Sequence, residues 1–164
     1  MHNPEKVNDI KCRIFPEGDP KKLKKFFKQV ENKECGRAFD FSKIVPYPDF
    51  IFMGPITADV LQKYGRRNWY DFNKTHWGTY YNAYDTERTG NMIEFMVGWR
   101  PPFKLFMAMA EKFPDLKFNI KWASREDGGP CGEMTVSANG ECTKAPYAVG
   151  SEEYNTLRGE MFRW

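Results

Sequence analysis

Leu116-Lys117-Phe118-Asn119-Ile120-Lys121-Trp122 is the stretch that decides the fold. Its apolar residues fall on every second position and its polar ones between them, the two-residue period of a strand with one buried face. The segment Asp9–Phe15 repeats the pattern, with Ile10, Cys12 and Ile14 on one face. Upstream of residue 116, Pro101-Pro102 opens a helix whose stripe is Phe103, Phe106, Met107, Ala110 and Phe113, stopped by Pro114. Before it, Thr79 to Asp85 reads as a strand, Glu87-Arg88-Thr89-Gly90 as a turn, and Ile93, Phe95 and Val97 carry a second strand to Trp99. After residues 9–15, Asp19 is suited to cap a helix and Pro20 to open it. Leu23, Phe26, Phe27 and Val30 then recur at helical spacing, up to an end before Cys35-Gly36. Strand, helix, strand, strand, helix, strand is an α+β order. It predicts a ferredoxin-like βαββαβ antiparallel sheet with both long helices on one face.

Two regions lie outside that frame. Residues 35–78 form an insertion. Its run Val45-Pro46-Tyr47-Pro48-Asp49-Phe50-Ile51-Phe52-Met53-Gly54-Pro55 holds three prolines, which fix φ and remove donors, so it reads as an extended packed loop. A short helix over Thr57–Tyr64 closes at Gly65. A second follows through Trp69, Phe72, His76 and Trp77 and ends at Gly78. Beyond the frame, a hairpin starting at Gly132–Ala138 turns at Asn139-Gly140, and Ser151–Trp164 reads as a capped helix through Tyr154, Leu157 and Met161. Residues 147–164 are thus a C-terminal extension, and with no repeat or linker the 164 residues read as one domain.

A chain of this length buries roughly 70% of its extended surface on folding, so a core forms without disulfide or metal. Aromatics make up 16% of the chain, which predicts a core filled by rings and Met more than by Leu, Ile and Val. The net charge of +3 permits an anionic partner without demanding one. Cys12, Cys35, Cys131 and Cys142 are widely spaced, and residues 1–9 are too polar for a secretion signal, so free thiols in the cytoplasm are expected. No apolar run is long enough to span a membrane.

No catalytic set is legible. The sequence has no G-x-S-x-G elbow, no phosphate-cradling glycine loop and no Cys/His nucleophile pair. An iron–sulfur cluster needs four thiolates in close spacing, and these are isolated. His76 reads as a hydrogen-bonded structural histidine rather than a base or metal ligand. Its only companion is His2, and Asp40, Asp49, Asp71 and Asp85 supply no ligand-spaced cluster. No cofactor and no metal are expected. Two groups remain as binding candidates. Lys21, Lys24, Lys25 and Lys28 lie off the apolar stripe of the first helix and, with Arg66 and Arg67, are the candidates for holding nucleic-acid phosphates, the aromatics of Trp69–Tyr84 offering stacking. Helical spacing favours burying Trp69, Phe72 and Trp77 instead, with Asn68 as the cap. Tyr47, Phe50, Phe52 and Met53 form the candidate protein interface, where aromatics and Met are enriched.

Three motifs carry a family resemblance. They are Phe39-Asp40-Phe41-Ser42-Lys43-Ile44-Val45-Pro46-Tyr47-Pro48; Asn68-Trp69-Tyr70 with Trp77-Gly78-Thr79 and Asn82-Ala83; and Trp99-x-Pro101-Pro102 with Glu111-Lys112-Phe113-Pro114. Together they resemble the YubB-like proteins of phages and plasmids, over most of residues 9–145, with the tail after about Tyr147 outside. His76 stands where that family usually has Asn, and Tyr80-Tyr81 where it usually has Lys-Trp. The resemblance implies a ferredoxin-like domain of mobile-element origin and no established activity. The leading expectation is a non-enzymatic accessory protein that binds a host or element protein, as an inhibitor of a host defence system. A nucleic-acid-binding module comes second and a metal-dependent nuclease third. Neither the partner nor the oligomeric state can be read from the residues.

Overall fold

The computed structural model describes residues 7–163; His2 and Trp164 lie outside them. Strand β1 (Asp9–Glu17) is followed by helix α1 (Pro20–Val30). The insertion holds a 3₁₀ turn (Phe41–Lys43), α2 (Ala58–Tyr64) and α3 (Trp69–Phe72), which runs on into a π turn (Asn73–Trp77). Then come β2 (Tyr84–Thr89), β3 (Met92–Gly98), α4 (Phe103–Lys112), β4 (Lys117–Ser124), β5 (Cys131–Ser137), β6 (Cys142–Pro146) and α5 (Glu152–Phe162).

All neighbours in the sheet are antiparallel, in the order β2-β3-β1-β4-β5-β6. The first four are the ferredoxin-like arrangement; β5 and β6 widen it beyond β4. Register lines up the alternating apolar positions across the centre. Cys12 sits opposite both Phe95 and Trp122, and Ile14 opposite Ile93 and Ile120. Both long helices cover that face. Phe26 of α1 lies 5.2 Å from Phe118, while Phe103 and Phe106 of α4 lie 5.0 Å from Trp122 and 6.5 Å from Phe95. Rings dominate the fully buried volume, as the composition predicts: Trp77, Trp122, Tyr154 and six phenylalanines head it.

On the opposite face α5, capped by Ser151, sets Tyr154, Leu157 and Met161 against Ala123 and Cys131. Buried Arg158 pins it, donating from Nε to Ser124 O and from Nη2 to Arg125 O. The rest of this face carries charged pairs such as Arg13–Glu94.

Several boundaries differ from the sequence reading. Helix α1 stops at Val30, where Glu31 turns extended and Asn32 bridges to Arg37. Strand β2 begins at Tyr84 rather than Thr79, because side chains claim the carbonyls that a strand would use. Asn73 donates to Tyr80 O, and Thr79 donates to Gly98 O. The hairpin pairs Thr89 with Met92, so it turns at Gly90-Asn91, and β3 ends at Gly98, one short of Trp99. On α4, Leu105 and Met109 join the buried stripe, whereas Met107 is exposed. The helix read through Trp77 does not stay α-helical. Its π turn closes a hydrogen bond one residue longer than the α-helical one, Gly78 N–H to Asn73 O; Trp77 is buried there, Trp69 half-buried and His76 exposed. No helix among the described residues is long and apolar enough to cross a membrane.

Candidate functional site

The insertion folds over one end of the helix-covered face, and its irregular backbone is held by side chains. Phe39 and Phe41 are fully buried, stacked and edge-on against Phe95, and Asp40 between them is buried too. Asp40 accepts from Asn32 Nδ2, Asn82 Nδ2 and the Ser42 hydroxyl and N–H. Burial pushes its carboxyl up, but these donors outweigh it and hold the carboxyl below its ordinary value. Asn82 also accepts from the backbone N–H groups of Phe41 and Ala83, tying residues 41 apart in the chain into one knot. Trp77 donates to Val45 O and Trp69 to Gly54 O. Asn68 caps α3 through Asp71 N–H and also donates to Gly65 O.

These bonds settle where each candidate residue lies. Tyr47 packs 4.9 Å from Phe72 and 5.1 Å from Trp77 and donates to Asn73 Oδ1; burial pushes its hydroxyl up to about 12. It is part of the insertion's core. Phe52 is half-buried on Tyr64. Phe50 and Met53, by contrast, are 62% and 55% exposed. Helix α2, capped by Thr57, buries none of its residues and presents Leu61 to solvent.

Phe50, Ile51 and Arg67 are shared by two adjoining hollows of about 300 and 500 Å³. The first continues to Arg66, Asp71 and His76, the second to Met53 and Lys63. The fold therefore brings Arg66 and Arg67, read as phosphate contacts, onto the same surface as Phe50 and Met53, read as a protein interface. Lys21, Lys24, Lys25 and Lys28 stand apart, exposed along α1. His76 is an exposed group whose ring packs 4.4 Å from Phe72, not a buried hydrogen-bonded one. Among the described residues no group of three or more His, Cys, Asp or Glu could hold a metal. The thiols are unpaired, Cys12 and Cys131 buried, Cys35 and Cys142 exposed.

Residues 76–160 match the family model described as the ferredoxin-like domain in Api92-like protein. The chain belongs to that family. No curated protein and no solved structure matches it. The matched segment passes Tyr147 and reaches well into α5. It starts after β1 and α1, yet β1 lies between β3 and β4, both of which pair with it. The sheet of this family member is complete only with residues that precede the matched segment.

Sequence reading missed Leu61 and the juxtaposition of the two arginines with Phe50. Leu61 sits in a short helix whose pattern looks amphipathic, and only its standing clear of the core shows it to be exposed.

Proposed function

We propose that this chain is a non-enzymatic accessory protein of a phage or plasmid. It works in the cytoplasm of a bacterial host by binding a protein of the host or of the element, and inhibition of a host defence system is the use of that binding. The observation that carries the binding is the insertion surface. Phe50 and Met53 stand exposed between two hollows, with Arg66 and Arg67 beside them. Aromatics, Met and Arg are the residue types enriched at protein interfaces, and an exposed aromatic beside a hollow suits a central anchor. The mobile-element origin is supported by the three sequence motifs.

The test is a pull-down from host lysate with tagged full-length chain, run beside Phe50→Ser/Met53→Ser and beside a variant with Lys21, Lys24, Lys25 and Lys28 all changed to Gln. The reading expects one partner, retained by the lysine variant and lost with the Phe50/Met53 variant. A partner retained by both, or released only by the lysine variant, overturns it.

A further inference from the structure

At the far end of β3 a second surface is built from two segments. One is Thr79–Tyr81 and the other Gly98–Lys104. Thr79 Oγ1 donates to Gly98 O, and Arg100 Nη2 reaches the Tyr80 hydroxyl at 3.1 Å. A β-carbon placed on Gly98 would lie 2.9 Å from Val7, too close to keep, and 3.9 Å from the Tyr81 ring, an ordinary contact, so the missing side chain makes room for Val7 and Tyr81 lies beside it.

The aromatics at this edge are layered. Tyr70 and Tyr80 stack with ring centres 5.4 Å apart and planes 11° from parallel. Lys74 Nζ lies 4.6 Å from the Tyr70 centre and the Arg100 guanidinium 5.1 Å from that of Tyr80. Beside this stack Tyr81 leans on Trp69 at 6.0 Å and is 47% exposed. Trp99 is 37% exposed, and its ring contacts no other ring among the described residues.

Trp99 is also held at a cost. Its φ is +74°, and Arg100 N–H closes a three-residue turn onto Gly98 O at 2.9 Å. That is the rare, strained hand of the γ-turn, in a region that bulky side chains avoid. The indole keeps more than a third of its surface open there, on a backbone that glycine would fit better.

The two segments themselves carry only positive charge. Residues 79–81 and 98–104 contain no acid and hold Arg100 and Lys104, while Asp9, opposite Gly98 across the sheet, is engaged by the Tyr84 hydroxyl and Arg125. Lys74 is neutralised in part by Asp71 at 3.3 Å. Lys104 donates to Thr75 O and is otherwise exposed.

We propose that this ledge binds single-stranded nucleic acid, two bases stacking on Tyr81 and Trp99 and the backbone running over Arg100 and Lys104. Exposed aromatic faces beside cations are the features of sequence-tolerant single-strand recognition. A duplex keeps its base faces stacked inside and has none to offer the rings. The rings and cations of this ledge are different residues from Phe50, Met53, Arg66 and Arg67 of the insertion surface, although Lys104 bonds Thr75, which lines the hollow beside Phe50.

The experiment titrates the full chain into a fluorescein-labelled oligothymidylate of about 10 nucleotides, enough to cover one such site, and into a duplex of equal length. Single-strand binding is expected to exceed duplex binding and to quench tryptophan emission. Tyr81→Ala and Trp99→Gly are each expected to weaken it about five- to a hundredfold, the loss of one stacked base. Trp99→Gly relieves the turn, so its melting temperature should hold or rise while binding falls. Arg100→Gln and Lys104→Gln should each flatten the log–log salt dependence by about 0.7, the value for one single-strand phosphate contact. Several results overturn the proposal: no strand binding at physiological salt, equal affinity for the duplex, ledge variants that bind like the parent, or a Trp99→Gly protein that loses stability along with binding. So does a ledge needed only to capture a protein.

Discussion

The sheet and the insertion are built by different means. Across β1, β3 and β4 the backbone groups satisfy one another, and the side chains have only to bury apolar surface, so alternation suffices. Over residues 39–83 little ladder is available, and side chains bond the backbone instead, as Asn82 does for Phe41 and Ala83 and Trp77 for Val45. Buried peptide groups left unpaired cost about 1–3 kcal/mol each, so such pegs are as necessary to an irregular segment as ladders are to a sheet. It follows that Asn82-Ala83 and Trp77-Gly78 are accounted for by the pegging alone. The groups the pegs leave outside, Phe50, Met53 and the two arginines among them, are the ones free to meet a partner.

The comparison can be broken hardest at Trp77, where both means meet. Its indole is fully buried and donates to Val45 O. Trp77→Ala is expected to cost ~3–5 kcal/mol, as for other buried large aromatics. Denaturant unfolding checks it. A loss below ~1 kcal/mol would mean that the insertion is not coupled to the core. Trp69→Ala should cost less, because that ring is half-buried.

Asn82→Ala sharpens the contrast by removing a peg and no apolar surface. It leaves two N–H groups without their acceptor and takes one donor from buried Asp40, so ~2–4 kcal/mol is expected, from the cost of unpaired buried polar groups. Asn82→Asp should be no rescue, since it sets a second carboxylate beside the first. If Asn82→Ala is silent in a thermal melt, the hydrogen-bond account of the insertion fails.

The same knot has a pH signature. Because the folded Asp40 carboxyl titrates below its ordinary value, its contribution is complete above the unfolded pKa of about 3.9. It is lost as pH falls through the folded value. Asp71, held low first by the Asn68 amide and then by Lys74, adds in the same direction. Melting temperatures between neutral pH and about pH 3, read across that unfolded value, should fall more for the parent than for Asp40→Asn. Parallel curves would show that Asp40 carries none of the acid sensitivity.

How much of this was legible follows from the same difference. Alternation at 116–122 and 9–15 and the stripe of α1 gave the strand order and the shared helix face, because period and burial are tied directly in regular elements. Asp19, Thr57, Asn68 and Ser151 all cap helices, as local chemistry predicts. Thr79–Ala83 misled, since its β-prone Thr and Tyr residues suit a strand while its hydrogen bonds run between side chains and backbone, Asn73 to Tyr80 O and Thr79 to Gly98 O. The π turn is likewise invisible to a helical period. For the candidate surface on the insertion, the residue types were legible and their grouping was not. Arg66 and Phe50 meet only because Phe52 and Asn68 form a parallel bridge across the insertion.

The smallest expected effect is at the lysines of α1, and it separates the surfaces that look alike in sequence. Lys21, Lys24, Lys25 and Lys28 are exposed and lie off the stripe of Leu23, Phe26, Phe27 and Val30. Changing all four to Gln removes neither packing nor a peg, and each change should stay within about ±0.5 kcal/mol of the parent's stability. If this face gripped duplex DNA, the log–log salt slope would be about −0.9 per phosphate contact and would shrink with the substitutions. The expected result is instead weak duplex binding at physiological salt in both proteins, because 22 acids offset most of the 25 basic residues. The lysines then serve solubility, whereas Arg66 and Arg67 act beside an exposed aromatic. Submicromolar duplex affinity at that salt, abolished by the four substitutions with the fold intact, would move the binding function from the insertion to α1.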